Sequence, residues 1–99
     1  MWIDTISPVL AILTSPTPGT QLPGASVTFT WSAGSGVGPY SLWVGSQGVG
    51  SHDLAVIGAT KALSGTVNGL PTTGETLYVR MLSGVNGVWK FIDYTYTAF

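Results

Sequence analysis

Alternation of apolar and polar positions dominates the middle of the chain. In the stretch 27–31 the apolar residues Val27, Phe29 and Trp31 alternate with threonines. A period of two is that of a β-strand with one face in a core and the other toward water. Turn-forming residues, mainly proline and glycine, bound the stretch at both ends. We therefore predict a central strand over 27–31.

Six further stretches carry strand signals of varying strength. They cover residues 10–14, 40–44, 53–57, 61–67, 75–82 and 88–97. Turn-rich segments separate them, and no stretch has the period of a helix. With 99 residues the chain is the size of one domain. About seven short strands with turns between them predict an all-β fold, an antiparallel two-sheet sandwich.

The last two strands carry a specific turn signal. Asn86-Gly87 is a dipeptide typical of a two-residue β-hairpin. After it, bulky residues first occupy the odd positions of Trp89 and Phe91, and then even positions from Tyr94 onward. A change of phase within one strand predicts a β-bulge near Ile92.

The strand motifs also resemble a known family. The motifs are Val27-x-Phe29-x-Trp31, Tyr40-x-Leu42-x-Val44, Val67-x-Gly69-Leu70-Pro71 and Leu77-x-Val79-Arg80-Met81. They resemble the second strand, the third strand, and the turn and sixth strand of fibronectin type III or immunoglobulin-like domains. The resemblance covers roughly residues 10–97 and implies that sandwich fold, of the kind appended to secreted bacterial proteins. One departure is Leu77, which stands where the family usually has a tyrosine.

Composition narrows the possible partners. Charged residues make up 7% of the chain and the net charge is −1, against about 25% charged residues in typical proteins. Without a basic patch we expect no nucleic-acid binding. The longest apolar run, 9–13, is too short for membrane insertion. Few charges at 44% hydrophobic content favour an extracellular or cell-surface protein, or a subunit whose surface is largely covered by neighbours.

Residues suited to catalysis or metal binding are sparse. His52 is the single histidine and stands beside Asp53, while the other acidic residues are scattered. No serine lies in a Gly-x-Ser-x-Gly motif, and no acidic cluster has the spacing of a calcium loop. We expect no enzyme activity, no metal and no cofactor. An enzyme built around His52 is the third hypothesis.

Aromatic residues point to the candidate binding surface. By parity, Trp43 faces outward on the third strand, and Tyr78 and Arg80 on the sixth; Trp89 or Phe91 does so on the seventh. These strands are neighbours in the fold that the resemblance implies. The five residues are therefore predicted to form one patch. They either pair across strands and merely stabilise the sheet, anchor a protein interface, or stack on sugar rings.

An apolar arm, residues 1–9, precedes the predicted sandwich, residues 10–99. The apolar residues of the arm are Trp2, Ile3, Ile6 and Val9, and Leu10 at the start of the sandwich continues them. Pro8 divides this apolar stretch. The arm either folds back on its own domain or extends the sheet of a neighbouring copy by backbone hydrogen bonds. A head-to-tail contact of the second kind propagates into a filament when it does not close into a ring.

These observations lead to one expected function and one alternative. We expect a non-catalytic structural or interaction module of an extracellular or surface assembly, which self-associates through the arm and the aromatic patch as a filament or surface-layer subunit. Its partners would be copies of itself or other surface proteins. The alternative is a carbohydrate-binding module, in which Trp43, Tyr78 and Trp89 stack on a polysaccharide.

Overall fold

The structure, a computed structural model, describes residues 8–99. Seven strands occupy this part of the chain: β1 (Leu13–Ser15), β2 (Val27–Trp31), β3 (Tyr40–Gly45), β4 (Ala55–Thr60), β5 (Ser64–Val67), β6 (Thr76–Val85) and β7 (Val88–Thr97). They form a three-stranded sheet in the order β1-β2-β5 and a four-stranded sheet in the order β4-β3-β6-β7. Every pairing within the sheets is antiparallel. The predicted all-β two-sheet sandwich is confirmed.

Alternate residues of the two sheets form the core. Phe29 and Trp31 of β2 are buried, and so is Tyr40 of β3, as the sequence pattern predicts. Phe29 meets the ring of Tyr96 edge-on, with ring centroids 5.6 Å apart and an interplanar angle of 73°. Trp31 lies 6.4 Å from the ring of Tyr40. These aromatic contacts join the two sheets and add to the free energy of apolar burial.

The segment ahead of β1 crosses from one sheet to the other. Val9 exchanges two backbone hydrogen bonds of 2.9 Å with Ser35, in the loop after β2. Two residues later, the N–H of Ala11 donates to Oγ of the buried Ser83 in the opposite sheet, at 3.0 Å. This donation takes Ala11 out of the ladder with β2. The first strand therefore begins at residue 13 rather than at residue 10 as predicted.

Two tyrosines of β7 hold β1 from across the core. The Tyr94 hydroxyl accepts a hydrogen bond from the N–H of Leu13 at 3.3 Å. The Tyr96 hydroxyl donates to the carbonyl of Pro16 at 2.8 Å. Burial raises the pKa of Tyr96, which keeps this hydroxyl protonated and able to donate. The two contacts tie the short β1 strand to the four-stranded sheet.

β6 and β7 pair in an unbroken register. Ten consecutive pairs run from Thr76↔Thr97 to Val85↔Val88. The predicted bulge near Ile92 is wrong, because Ile92 pairs with Met81 in regular register. The change of phase instead marks a change of burial, from Trp89 and Phe91 on the outer face to tyrosines on the inner face.

The hairpin between β6 and β7 turns at Asn86-Gly87, as predicted. Asn86 has a φ of 50° and Gly87 a φ of 78°. Positive φ at both central residues is the geometry of a type I′ turn, whose twist matches that of the flanking strands. The turn therefore fixes the register on which the outer face depends.

Trp31 provides a test of the core. Trp31→Ala should lower the free energy of unfolding by about 3–5 kcal/mol, because it removes a large buried side chain and leaves a cavity. Among residues 8–99 the indole Nε1 of Trp31 has no hydrogen-bond partner. Trp31→Phe removes this buried donor and should cost less, about 2 kcal/mol or below. Urea unfolding measures both; equal losses for Ala and Phe would contradict this account.

Candidate aromatic interface

The five residues predicted to form a patch all lie on the outer face of the four-stranded sheet. Cross-strand partners share a face of the sheet. Trp43 is paired with Arg80, and Phe91 and Trp89 are paired with positions 82 and 84 of β6, which lie on the same face as Arg80. Tyr78 lies one step along β6 from Arg80 on the same face. We call this surface the aromatic face: Trp43, Tyr78, Arg80, Trp89 and Phe91.

Arg80 is at the centre of the aromatic face. Its Nε donates to Oδ1 of Asp93 at 2.7 Å and its Nη2 to Oδ2 at 3.0 Å. Its Cζ lies 3.6 Å from the ring centroid of Phe91 and 5.9 Å from that of Trp43. The hydrogen bond with Asp93 raises the pKa of Arg80. The guanidinium is thus paired with an acid and stacked on an aromatic ring, which fixes its orientation.

The loop between β3 and β4 covers one side of this cluster. The ring of His52 lies 4.8 Å from that of Trp43, at an interplanar angle of 47°. A Cβ atom built on Gly50 would lie 3.2 Å from Cζ of Arg80, and Gly50 has a φ of +85°. Both the contact and the backbone conformation favour glycine at this position. The loop therefore packs on Trp43 and Arg80, and Trp43 is half-buried.

Asp53 shapes that loop. Its carboxylate accepts hydrogen bonds from the backbone N–H of Ser46 at 2.8 Å and from the Ser46 hydroxyl at 2.6 Å. The hydrogen bonds from Ser46 lower the pKa of Asp53. Both oxygens of Asp53 are therefore directed at Ser46, and His52 packs on Trp43. Across residues 8–99 no three His, Cys, Asp or Glu side chains are grouped as a metal site would require.

Apolar side chains around Arg80 are open to solvent. Phe91 and Trp89 keep 46% and 42% of their surface exposed. Val56 of β4, directly opposite Trp43, is 53% exposed and extends the aromatic face by one strand. We did not predict Val56, although its parity, opposite to that of Ala55, was a usable signal. Leu82 also faces outward, but it is buried between its cross-strand neighbours on β3 and β7.

A groove lies at one end of the aromatic face. It has a volume of about 220 Å³, and its lining includes Val49, Gly50, Tyr78, Asp93 and Thr95. Tyr78 thus lies at the groove, whereas Trp89 lies at the other end of the face, beside the hairpin. The structure gathers Trp43, Arg80 and Phe91 into one cluster and places Tyr78 and Trp89 on either side of it.

Only some of the residues predicted for self-association through the arm lie among the described residues, 8–99. Trp2, Ile3 and Ile6 lie outside the described residues. Val9 and Leu10 lie within them, and the backbone of Val9 is bonded to Ser35 of the same chain. The side chain of Val9 is 57% exposed. Attachment to the chain's own domain is therefore observed from Val9 onward.

Comparison with known proteins adds no family. A scan against protein-family models finds no matching family, and a search of curated proteins finds no matching relative. Over residues 8–99 there is also no helix long and apolar enough to cross a membrane. The function is therefore argued from the geometry of the aromatic face.

The pairing of Arg80 with Asp93 can be tested directly. Asp93→Asn should lower the free energy of unfolding by about 1 kcal/mol, because it weakens a charge-assisted, partly buried hydrogen bond. Glu75→Gln is the matched control, since Glu75 is exposed and its carboxylate accepts a hydrogen bond only from Thr73 among the described residues. Urea unfolding measures both variants. If Asp93→Asn lowers the free energy of unfolding no more than Glu75→Gln does, the Arg80–Asp93 pair has no central role.

Proposed function

We propose that the chain is a non-catalytic structural or interaction module of an extracellular or surface assembly, and that it associates with further copies of itself. The observation that carries the proposal is the aromatic face. Its outer apolar side chains are exposed on both edge strands of the sheet, Val56 on β4 and Trp89 and Phe91 on β7. Arg80, paired with Asp93, lies on β6 between these two edges. Exposed apolar patches of this kind mark interaction sites.

The charge distribution of the face supports a protein interface. Arg80 is neutralised by Asp93 within the chain, so a partner that covers the face need not supply a counter-charge. Interface centres are depleted of unpaired charges and enriched in aromatic residues and arginine. The stacking of Arg80 on Phe91 also holds both side chains in place before a partner arrives, which lowers the entropy lost on binding.

The family and the location form part of the same proposal. The sheet orders β1-β2-β5 and β4-β3-β6-β7 are compatible with an immunoglobulin-like sandwich, and we propose the fibronectin type III-like variant on the strength of the sequence motifs. A chain with only 7% charged residues gains little solubility from surface charge. This favours a protein whose surface is covered within an assembly. The fold by itself supports many functions.

Carbohydrate binding is the second candidate. The groove beside Tyr78 carries hydrogen-bonding groups of Asp93 and Thr95 next to an aromatic ring, a combination suited to a sugar. Two observations make it the weaker candidate. Arg80 stacks on one face of the Phe91 ring, and His52 packs against Trp43. These contacts limit the flat ring surface open to a sugar.

Self-association can be tested with charged substitutions at exposed positions. Val56→Lys and Trp89→Lys should each weaken association by about tenfold or more, because a lysine would be buried unpaired in the interface. Leu63→Lys is the matched control, since Leu63 is 42% exposed and lies outside the four-stranded sheet. Light scattering during size-exclusion chromatography gives the molar mass. Equal behaviour of all three variants would exclude the aromatic face as the interface.

Carbohydrate binding has its own test. If the groove and the exposed indole hold a polysaccharide, Tyr78→Ala and Trp89→Ala should each reduce retention on insoluble cellulose or chitin by about tenfold, as loss of a stacking aromatic ring does at a binding hot spot. Phe99→Ala, at an exposed aromatic residue outside the face, is the control. No retention of the unaltered protein on either glycan would count against this candidate.

A further inference from the structure

The outer edge of β7 is covered along only part of its length. Beside its C-terminal end, the N–H of Gly19 donates to the carbonyl of Thr95 at 2.8 Å, and the N–H of Leu22 donates to that of Thr97 at 2.8 Å. Within residues 8–99 no segment pairs with the edge over 89–93. This part, the open edge, is thus an unpaired strand edge beside the aromatic face.

The register shows which backbone groups the open edge presents. The residues flanking a two-residue hairpin turn, here Val85 and Val88, form a hydrogen-bonded pair. The pattern then alternates along the strand, so Trp89, Phe91 and Asp93 direct their N–H and C=O groups away from β6. Thr95 and Thr97 share this parity and are the residues that bond to the segment 19–22, which supports the assignment.

We infer that the open edge accepts residues 1–7 of a neighbouring copy as an added antiparallel or parallel strand. The inference rests on the proposed self-association and names the two surfaces that meet. An exposed apolar edge is a template for pairing with another chain, and strand addition supplies backbone hydrogen bonds irrespective of side chain. Because donor and acceptor are different surfaces, the contact is head-to-tail and propagates.

The length and composition of the segment fit the open edge. Seven extended residues reach about 24 Å, and five residues of strand occupy about 17 Å. The segment contains Trp2, Ile3 and Ile6 and has no glycine or proline before Pro8, a composition that favours strand formation. It can therefore cover the whole open edge and leave residues to span the gap between two copies.

Charge complementarity supports the same pairing. Lys90 is the cation of the open edge that has no ion pair among the described residues. Asp4 is the only charged residue of the segment 1–7. A lysine on an edge strand disfavours pairing with other strands, because its charge would be covered without a partner. An incoming strand with an acidic residue near its centre supplies that partner.

Chain direction favours a neighbouring copy over the same chain. Pro8 lies with Val85 and Asn86 around one cavity, at the hairpin end of the sandwich. From there the chain runs away from that end, past Ser35 and then along β2. To lie on its own open edge, the segment would have to reverse direction at residues 7 and 8. A residue that precedes proline instead favours extended backbone.

Amide hydrogen exchange of the ¹⁵N-labelled full chain tests the inference. When copies assemble, the amides of Trp89, Phe91 and Asp93 should exchange about tenfold or more slowly than in dilute protein, because they gain hydrogen bonds. Lys90 and Ile92 are the internal controls, since their amides bond to β6 in either state. Ile3→Pro, which removes a backbone donor and restricts the segment, should abolish the added protection, whereas Ile3→Val should retain it.

Each outcome decides a separate point. Assembly without protection of the open edge would overturn this inference and leave the proposed self-association standing. Protection that is already present in dilute monomer would place the chain's own segment on the edge, and would also overturn it. Protection that persists in assembled Ile3→Pro would assign the edge to another occupant, with the same result. A chain that stays monomeric at every concentration would overturn both proposals.

Discussion

The unbroken register between β6 and β7 is the constraint on which the rest of the structure depends. It directs Tyr94 and Tyr96 into the core, where their hydroxyls hold the backbone around β1. The same register directs Phe91 and Asp93 outward, where both contact Arg80. It also decides which backbone amides of β7 face the edge. Core closure, the aromatic face and the open edge are therefore three consequences of one strand pairing.

The two sides of the four-stranded sheet therefore have different roles. The inner side holds the sandwich together through apolar burial and a few buried hydroxyls such as that of Ser83. On the outer side, the ion pair with Asp93 orients Arg80, and the loop between β3 and β4 packs on Trp43 through His52. Aromatic residues around a paired arginine are typical of protein interfaces, which is why we propose that this side meets a partner.

Sequence patterns predicted the strands well where alternation was strict, as in Val27–Trp31, because one buried face imposes a period of two. They also placed Trp43 and Arg80 on one face. The bulge predicted near Ile92 was wrong, because the positions of bulky residues along a strand depend on which face is buried as well as on the strand register. The sequence patterns could not predict the stacking of Arg80 on Phe91, the loop contact of His52 or the partial cover of the β7 edge. Those features depend on contacts between residues far apart in the chain.

We propose that the aromatic face and the open edge make this domain a subunit of an assembly rather than an independent monomer. Sedimentation velocity of the unaltered chain over a wide concentration range tests it most directly. We expect the sedimenting mass to rise with concentration above the 10.3 kDa of one chain. A single species of 10.3 kDa at every concentration would contradict the account.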